Sequence, residues 1–163
     1  MKKKVLFVSS TGGHLNELLQ LDELFKKYNY YIVTENTKSN KYLKDKYKNK
    51  VSYLIYGTKK HIITYIFKLI INSFKCAYIY LKFRPDYVIS TGAHTGGLMC
   101  LISKIFGARI IYIETFANLE TKSVTGNLCY RFADLFIVQW ESMLDKYPKA
   151  KYGGWIIKWF LLL

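Results

Sequence analysis

Two hydrophobic periods alternate along almost the whole chain, and that alternation leaves few architectures open. Short apolar runs of strand character occur at Lys4–Ser9, Tyr30–Thr34, Val51–Tyr56, Tyr87–Ser90, Arg109–Glu114 and Asp134–Gln139. Between them the apolar residues recur at helical spacing, as Leu15, Leu18, Leu19, Leu21, Leu24 and Phe25 do within Leu15–Lys27. Ser39–Lys48 reads as a polar helix with Tyr42, Leu43 and Tyr47 inward, and Gly96–Phe106, Ser123–Phe132 and Ser142–Tyr147 as later helices. Neighbouring parallel strands need a crossover long enough to hold a helix. The order therefore predicts an α/β class: a Rossmann-like parallel sheet with helices on both faces. With no repeat and no linker, one domain is expected over residues 1–154, followed by an apolar tail at 155–163.

Charge narrows the partners. The 163 residues carry 25 Lys+Arg against 11 Asp+Glu, a net charge of +14. Most of the excess lies between Asn36 and Arg84, where twelve basic residues face one acid, Asp45. The same stretch holds the most apolar segment, His61–Phe83, and a basic block beside an apolar block favours an anionic membrane over nucleic acid. A solvated lysine face beside an ordinary buried helix is the bland reading. Three cysteines, Cys76, Cys100 and Cys129, make neither a C-x-x-C pair nor an even set, which excludes a disulfide framework and a cysteine zinc cluster. The apolar run behind Lys2-Lys3-Lys4 is four residues long, too short for a signal peptide and sufficient for a buried strand.

At about 100° per residue, Lys68, Lys75 and Lys82 recur every seven positions and stay near one line of the His61–Phe83 helix. His61, Thr64 and Asn72 fall close to that line, and nearly everything else is apolar. As a membrane span the helix would bury three lysines at about 2.5–3.5 kcal/mol each. Lying in the interface it avoids that cost, because lysines reach back to the phosphates while Phe, Ile and Leu dip inward. A peripheral helix at the cytoplasmic face of the cell membrane is the expectation, with a single span as the alternative.

In a sheet of this class ligands bind at the carboxyl ends of the strands, where the strand order reverses. In the usual order 3-2-1-4-5, the turns after strands one and four flank that crevice. They read Ser9-Ser10-Thr11-Gly12-Gly13-His14 and Ser90-Thr91-Gly92-Ala93-His94-Thr95-Gly96-Gly97. Glycine lets backbone amides approach a ligand, and the following helix starts favour an anion such as a diphosphate. Ser10, Thr11, Gly12, Gly13, Thr91, Gly92, Thr95 and Gly96 are the candidate binding residues. His14 and His94 suit general-base work near neutral pH, and Glu114 stands after strand five. Each also has a plainer reading, as a turn residue, a backbone-bonded cap or a lysine partner. The chain lacks a P-loop, a G-x-S-x-G elbow, a G-x-G-x-x-G turn and a D-x-D pair, so neither a cofactor nor a metal is expected. Glu35, at the end of strand two, keeps a dinucleotide ribose as an alternative.

An ordered set of motifs resembles a known family. Ser9-Ser-Thr-Gly-Gly-His-Leu, Thr34-Glu-Asn-Thr-Lys-Ser, Tyr56-Gly-Thr-Lys-Lys, Arg84-Pro-Asp, Ser90-Thr-Gly-Ala-His-Thr, Tyr112-Ile-Glu-Thr-Phe-Ala, Ala133-Asp-Leu-Phe-Ile-Val-Gln-Trp and Tyr147-Pro-Lys-Ala-Lys-Tyr-Gly-Gly look like bacterial capsule and exopolysaccharide subunits of the PssD/CpsF type. These are similar to the membrane-anchoring subunit of the eukaryotic two-part GlcNAc transferase that builds dolichol-diphosphate chitobiose. The resemblance implies the N-terminal, acceptor-side half of a GT-B, MurG-like glycosyltransferase. Its partners would be a donor-binding subunit, the C-terminal GT-B half, and a polyprenyl-diphosphate-sugar acceptor. On that basis Gly12, Gly13 and His14 match the first glycine loop, Gly92, His94 and Gly96 the second, and Glu114 the acidic residue after strand five. The implied activity is part of an inverting, metal-independent transfer from a UDP-sugar. The run from Trp155 is expected to dock on a partner or the membrane. A self-contained nucleotide-binding enzyme and a basic nucleic-acid-binding module are the other readings.

Overall fold

The computed structural model describes residues 2–57 and 62–156. Its strands are β1 (Lys4–Val8), β2 (Asn29–Glu35), β3 (Val51–Leu54), β4 (Tyr87–Ser90), β5 (Arg109–Ile113), β6 (Leu135–Val138) and β7 (Lys151–Tyr152). All pair in parallel, in the order β3-β2-β1-β4-β5-β6-β7. The helices are α1 (Gly13–Leu19), α2 (Asp22–Lys27), α3 (Leu43–Lys46), α4 (Ile62–Phe83), α5 (His94–Ile105) and α6 (Val124–Cys129). Strand alternation divides the core. Leu6 and Val8 join Cys76, Ile79, Met99, Cys100 and Cys129 under α4, α5 and α6, whereas Val5 and Phe7 join Leu15, Leu18, Phe25 and Leu43 under α1, α2 and α3. Val8 is level with Val33 on one side and Ser90 on the other. The turns after β1 and β4 therefore leave the sheet side by side, at the reversal of strand order.

The structure corrects several expected elements. The helix expected over Leu15–Lys27 is two. Gln20 and Leu21 donate back only three residues, to Glu17 and Leu18, and the chain restarts with Asp22 and Glu23 in a new first turn. Acidic residues at a helix start and lysines at its end suit the helix dipole. The break lets Phe25 turn onto Phe7, with ring centroids 4.7 Å apart. Ser39–Lys48 is also not one helix, but a 3₁₀ turn at Lys38–Asn40 and the single turn α3. Asn40 turns inward to bond Thr11 and the Glu35 carbonyl, and Lys44 and Lys48 would repel at i, i+4. The helix after β4 begins at His94, two residues earlier than the expected Gly96, and Ser142–Tyr147 reduces to a 3₁₀ turn at Glu141–Leu144. The two-residue β7 was too short to carry a period.

α4 is built inside out. The side against the sheet carries Asn72, Cys76 and Ile79, and buried Asn72 bonds both backbone groups of Ile55, accepting from N–H at 2.8 Å and donating to the carbonyl at 2.9 Å. The opposite side presents Ile63, Ile66, Phe67, Ile70, Phe74, Tyr78 and Leu81 to the outside, with Ile63 70% and Phe74 74% exposed. Lys68, Lys75 and Lys82 run along one flank between the two faces. No described helix is long and apolar enough to cross a membrane, which sets the spanning alternative aside for α4. His61, the Thr58-Lys59-Lys60 part of one motif and the tail from 157 lie outside the described residues.

Because the sheet-facing side of α4 includes the polar Asn72 contact while its outer apolar face packs on nothing among the described residues, two substitutions should behave against intuition. Asn72→Ala leaves the Ile55 amide and carbonyl buried without their partner and should lower unfolding stability by about 1–3 kcal/mol. Phe74→Ala, although it removes an aromatic ring, should change it by no more than about 0.5 kcal/mol. Denaturant unfolding of both variants checks the order; the reverse ranking would contradict the assigned faces.

Candidate functional site

The turns after β1 and β4 are laced together. The Ser10 amide donates to the Gly92 carbonyl at 2.9 Å, and the Ala93 amide donates back to Ser10 Oγ at 3.1 Å. Thr91 Oγ1 donates to the His14 carbonyl at 2.7 Å, and His14 Nδ1 lies 2.9 Å from the Thr91 carbonyl. A carbonyl can only accept, so Nδ1 carries the hydrogen and Nε2 of the neutral ring keeps its lone pair. Gly92 makes this possible: its φ is +95°, and a Cβ there would stand 3.3 Å from His14 Nδ1 and 3.1 Å from the Tyr112 hydroxyl. Gly12, with φ +81°, makes the corresponding turn into α1. α1 and α5 both begin at this edge, so first-turn amides that have no acceptor within their own helices gather around it.

The side chains singled out for anion binding are arranged differently from a ring of free hydroxyls. Ser10 and Thr91 are committed to the lacing above. Thr11 Oγ1 accepts from Asn40 Nδ2 at 3.0 Å, and buried Thr95 donates through Oγ1 to Glu35 Oε1 at 2.7 Å. Gly96 lies against Ser90, where a Cβ would come 2.5 Å from Oγ. What the edge offers a ligand is therefore backbone: the amides of the Gly12-Gly13-His14 turn and of the α5 start. The three candidate reactive groups are not one cluster, and among the described residues no hydrogen bond joins them. His94 is exposed on the α4 side, with Nε2 3.5 Å from the Gly57 carbonyl and its ring edge-on to Tyr65 at 6.1 Å. It lines a small pocket that also contains Lys68 and Thr95. Lys75 and Lys82 lie farther along α4, away from this edge.

Glu114 is 1% exposed beneath α6, at a place where a Cβ on Gly126 would overlap its carboxylate. Tyr147 donates its hydroxyl to Oε2 at 2.9 Å, and the Thr115 amide donates to Oε1 at 3.2 Å. Burial, then the Glu114 charge, pushes the Tyr147 phenol far above its usual range, so it remains a donor. In this arrangement Glu114 holds the segment after β6 and does not open onto the crevice.

Two other carboxylates organise the edge. Glu35, 2% exposed, takes the Thr11 amide on Oε2 at 3.0 Å and Thr95 on Oε1, so it clamps one glycine turn to the other and has no oxygen facing a ribose. Glu17 accepts from Thr115 Oγ1 at 2.7 Å, from the Phe116 amide at 3.2 Å and from Gln139 Nε2 at 3.2 Å, tying α1 to the ends of β5 and β6. Sequence reasoning passed over Glu17. Its signal was an acid between Leu15 and Leu18, on the inner side of an apolar helix and three residues past His14. Beside it, Phe116, Trp140 and Trp155 pack ring against ring at 4.7–5.5 Å, and the Ile156 amide donates to Gln139 Oε1. The first two tail residues thus rest on their own domain.

Residues 5–156 match the family described as "Oligosaccharide biosynthesis protein Alg14 like". The chain is 26% identical over 180 residues to the mouse UDP-N-acetylglucosamine transferase subunit ALG14, covering 94% of this chain and 83% of that one. Among solved structures it is similar to MurG of Acinetobacter baumannii, with TM-score 0.70 and 16% identity over 86% of this chain and 42% of that one. It is also similar to UDP-N-acetylglucosamine 2-epimerase of Rickettsia bellii, with TM-score 0.72 and 15% identity over 96% and 46%. The chain spans less than half of either structure, and at this identity the likeness is one of fold: a Rossmann-like half of a GT-B architecture.

The carboxyl of Glu17 is raised above its usual 4.5, chiefly by burial; Thr115, the Phe116 amide, His14 and Gln139 pull it the other way. A raised folded-state value contributes stability below the unfolded value and loses it as pH rises through the folded one. Glu17→Gln, which does not titrate there, should therefore gain stability relative to wild type as the pH climbs from about 4 toward neutrality. Thermal melts of both proteins across that range check the sign, and a falling difference would show that the hydrogen bonds outweigh burial.

Proposed function

The chain belongs to the Alg14-like family of oligosaccharide biosynthesis proteins, and on that premise we propose that it is the acceptor-side subunit of a two-component glycosyltransferase. It binds a saccharide carried on polyprenyl diphosphate, while a separate chain, the C-terminal half of a GT-B enzyme, binds the UDP-sugar. The transfer is inverting and needs no metal, the sugar is a hexose or N-acetylhexosamine, and the setting is bacterial capsule or exopolysaccharide synthesis. Residues 1–154 act as one domain. α4 holds it as a peripheral protein at the cytoplasmic face of the membrane, with its outward apolar side in the acyl region and Lys68, Lys75 and Lys82 at the phosphates.

The observation that carries this reading is the His14–Thr91 pair in the glycine-lined crevice between β1 and β4. With Nδ1–H given to the Thr91 carbonyl, Nε2 can take the proton of the acceptor hydroxyl as its oxygen attacks the anomeric carbon of the donor. The carbon–oxygen bond to UDP breaks, UDP leaves with the electron pair, and the anomeric centre inverts. Amides of Gly12, Gly13 and the α5 start hold the acceptor diphosphate. His94 positions the acceptor, and Glu114 supports the loop after β5 from within.

In the reconstituted pair, His14→Ala should lower kcat by about 10²–10⁴-fold while association with the donor subunit and donor KM stay near wild type. A folded, partner-bound variant that keeps half its kcat would move the base elsewhere. The purified chain should bind anionic vesicles, release partly in high salt, and lose binding when Lys68, Lys75 and Lys82 are replaced by Glu, each basic residue contributing about 1 kcal/mol. Equal binding to neutral and anionic vesicles would remove the lysines from the membrane contact.

A further inference from the structure

Over the open side of α5, between α4 and α6, runs a groove of about 330 Å³. Leu69 borders it from α4, Leu98 and Leu101 line it from α5, and Val124 and Leu128 border it from α6. Leu101, Val124 and Leu128 remain 38%, 82% and 44% exposed, so no side chain among the described residues fills the groove. At one end stand Tyr65 and His94, which also line the small pocket holding Lys68 and Thr95. That end is the carboxyl edge of the sheet, where α5 begins and where the His14 crevice lies. The groove is thus apolar along its length and bears a cation, an imidazole and first-turn amides at its mouth.

A trough of this composition matches an amphiphile in order: an anionic head at the mouth and hydrocarbon behind it. We propose that the groove holds the first isoprenoid units of the lipid-linked acceptor, with the diphosphate on the amides of the Gly12-Gly13 turn and the α5 start, beside His94 at the groove's mouth. This rests on the acceptor reading above and adds the place where its lipid lies. A protein helix would also bury leucines, but it would leave the cationic mouth without a counterpart; an isoprenyl diphosphate matches both ends. The groove also sits beside the outward apolar face of α4, so a lipid could enter it from the bilayer without crossing a polar surface.

The test uses the full chain with farnesyl diphosphate and inorganic diphosphate as probes, with binding followed by calorimetry. Wild type should bind farnesyl diphosphate about tenfold or more tightly than inorganic diphosphate, since apolar burial favours the longer ligand. In Leu101→Gln/Leu128→Gln that preference should fall to about twofold or less, with inorganic diphosphate and vesicle binding unchanged. Val124→Gln, at the most open of these positions, supplies a second variant that keeps the test valid if the double substitution does not fold. Equal binding of the two probes by wild type, or a preference that survives both variants, overturns the groove and leaves the diphosphate site standing. Binding of neither probe overturns the groove and the acceptor reading together. Loss of donor-subunit association in the variants with the farnesyl preference intact assigns the groove to a protein partner and overturns the proposal.

Discussion

Where parallel strands stop, their last backbone groups lose their ladder partners just where a ligand-binding edge needs open space. In this protein, side chains inserted between the turns supply those bonds. Glu35 accepts from the turn after β1 and from the start of α5, and Glu17 accepts from the ends of β5 and β6. Glu114 accepts from Tyr147 and from the amide that follows it. Each carboxylate is buried and hydrogen-bonded, the condition under which an acid is tolerated inside a protein. The His14–Thr91 exchange depends on this scaffold, because Thr91 and His14 belong to turns that Glu35 and the Ser10–Gly92–Ala93 bonds hold in register.

Bracing with side chains has a functional consequence. Hydroxyls and carboxylates spent on holding the turns leave the amides of the glycine segments to face a ligand. Amides fixed by such a frame need no reorganisation when an anion arrives, which is the property that makes preorganised dipoles effective in catalysis. The imidazole is fixed in the same way. Its tautomer is set by a backbone carbonyl, which leaves Nε2 as the nitrogen with the free lone pair.

The second constraint is the reversed polarity of α4. A helix on a sheet ordinarily turns its apolar stripe inward, yet here the inward side is anchored by an amide side chain and a few small or medium residues, and the wide apolar side faces away. Exposed apolar surface of that extent signals contact with something other than water. The lysine line on its flank is the charge pattern of a helix lying at an anionic interface. The groove over α5 adjoins that apolar face, on the side of the sheet opposite α1, and its His94 end meets the glycine edge from which His14 enters α1.

The sequence by itself determined the alternation of strands and helices that a parallel sheet requires and the position of the two glycine turns, because strand period, helix period and glycine position are local properties written residue by residue; the strand order at the crevice was the usual one of that fold class, and the structure has it. It also determined that the apolar segment between His61 and Phe83 is one long helix bearing a single lysine line. Tertiary structure decided what those residues do. Only packing shows that Asn72 belongs to the inward side of α4, that Thr95 and Glu35 are partners sixty positions apart, and that Glu114 lies beneath α6 instead of facing a substrate. It also split the first helix and cut α3 to a turn, since Phe25 and Asn40 gain more by turning into the core than a continuous helix would give them. The physical reason is range: periodicity reports which face a residue occupies on its own element, whereas hydrogen-bond partners and burial depend on which other elements the sheet brings beside it.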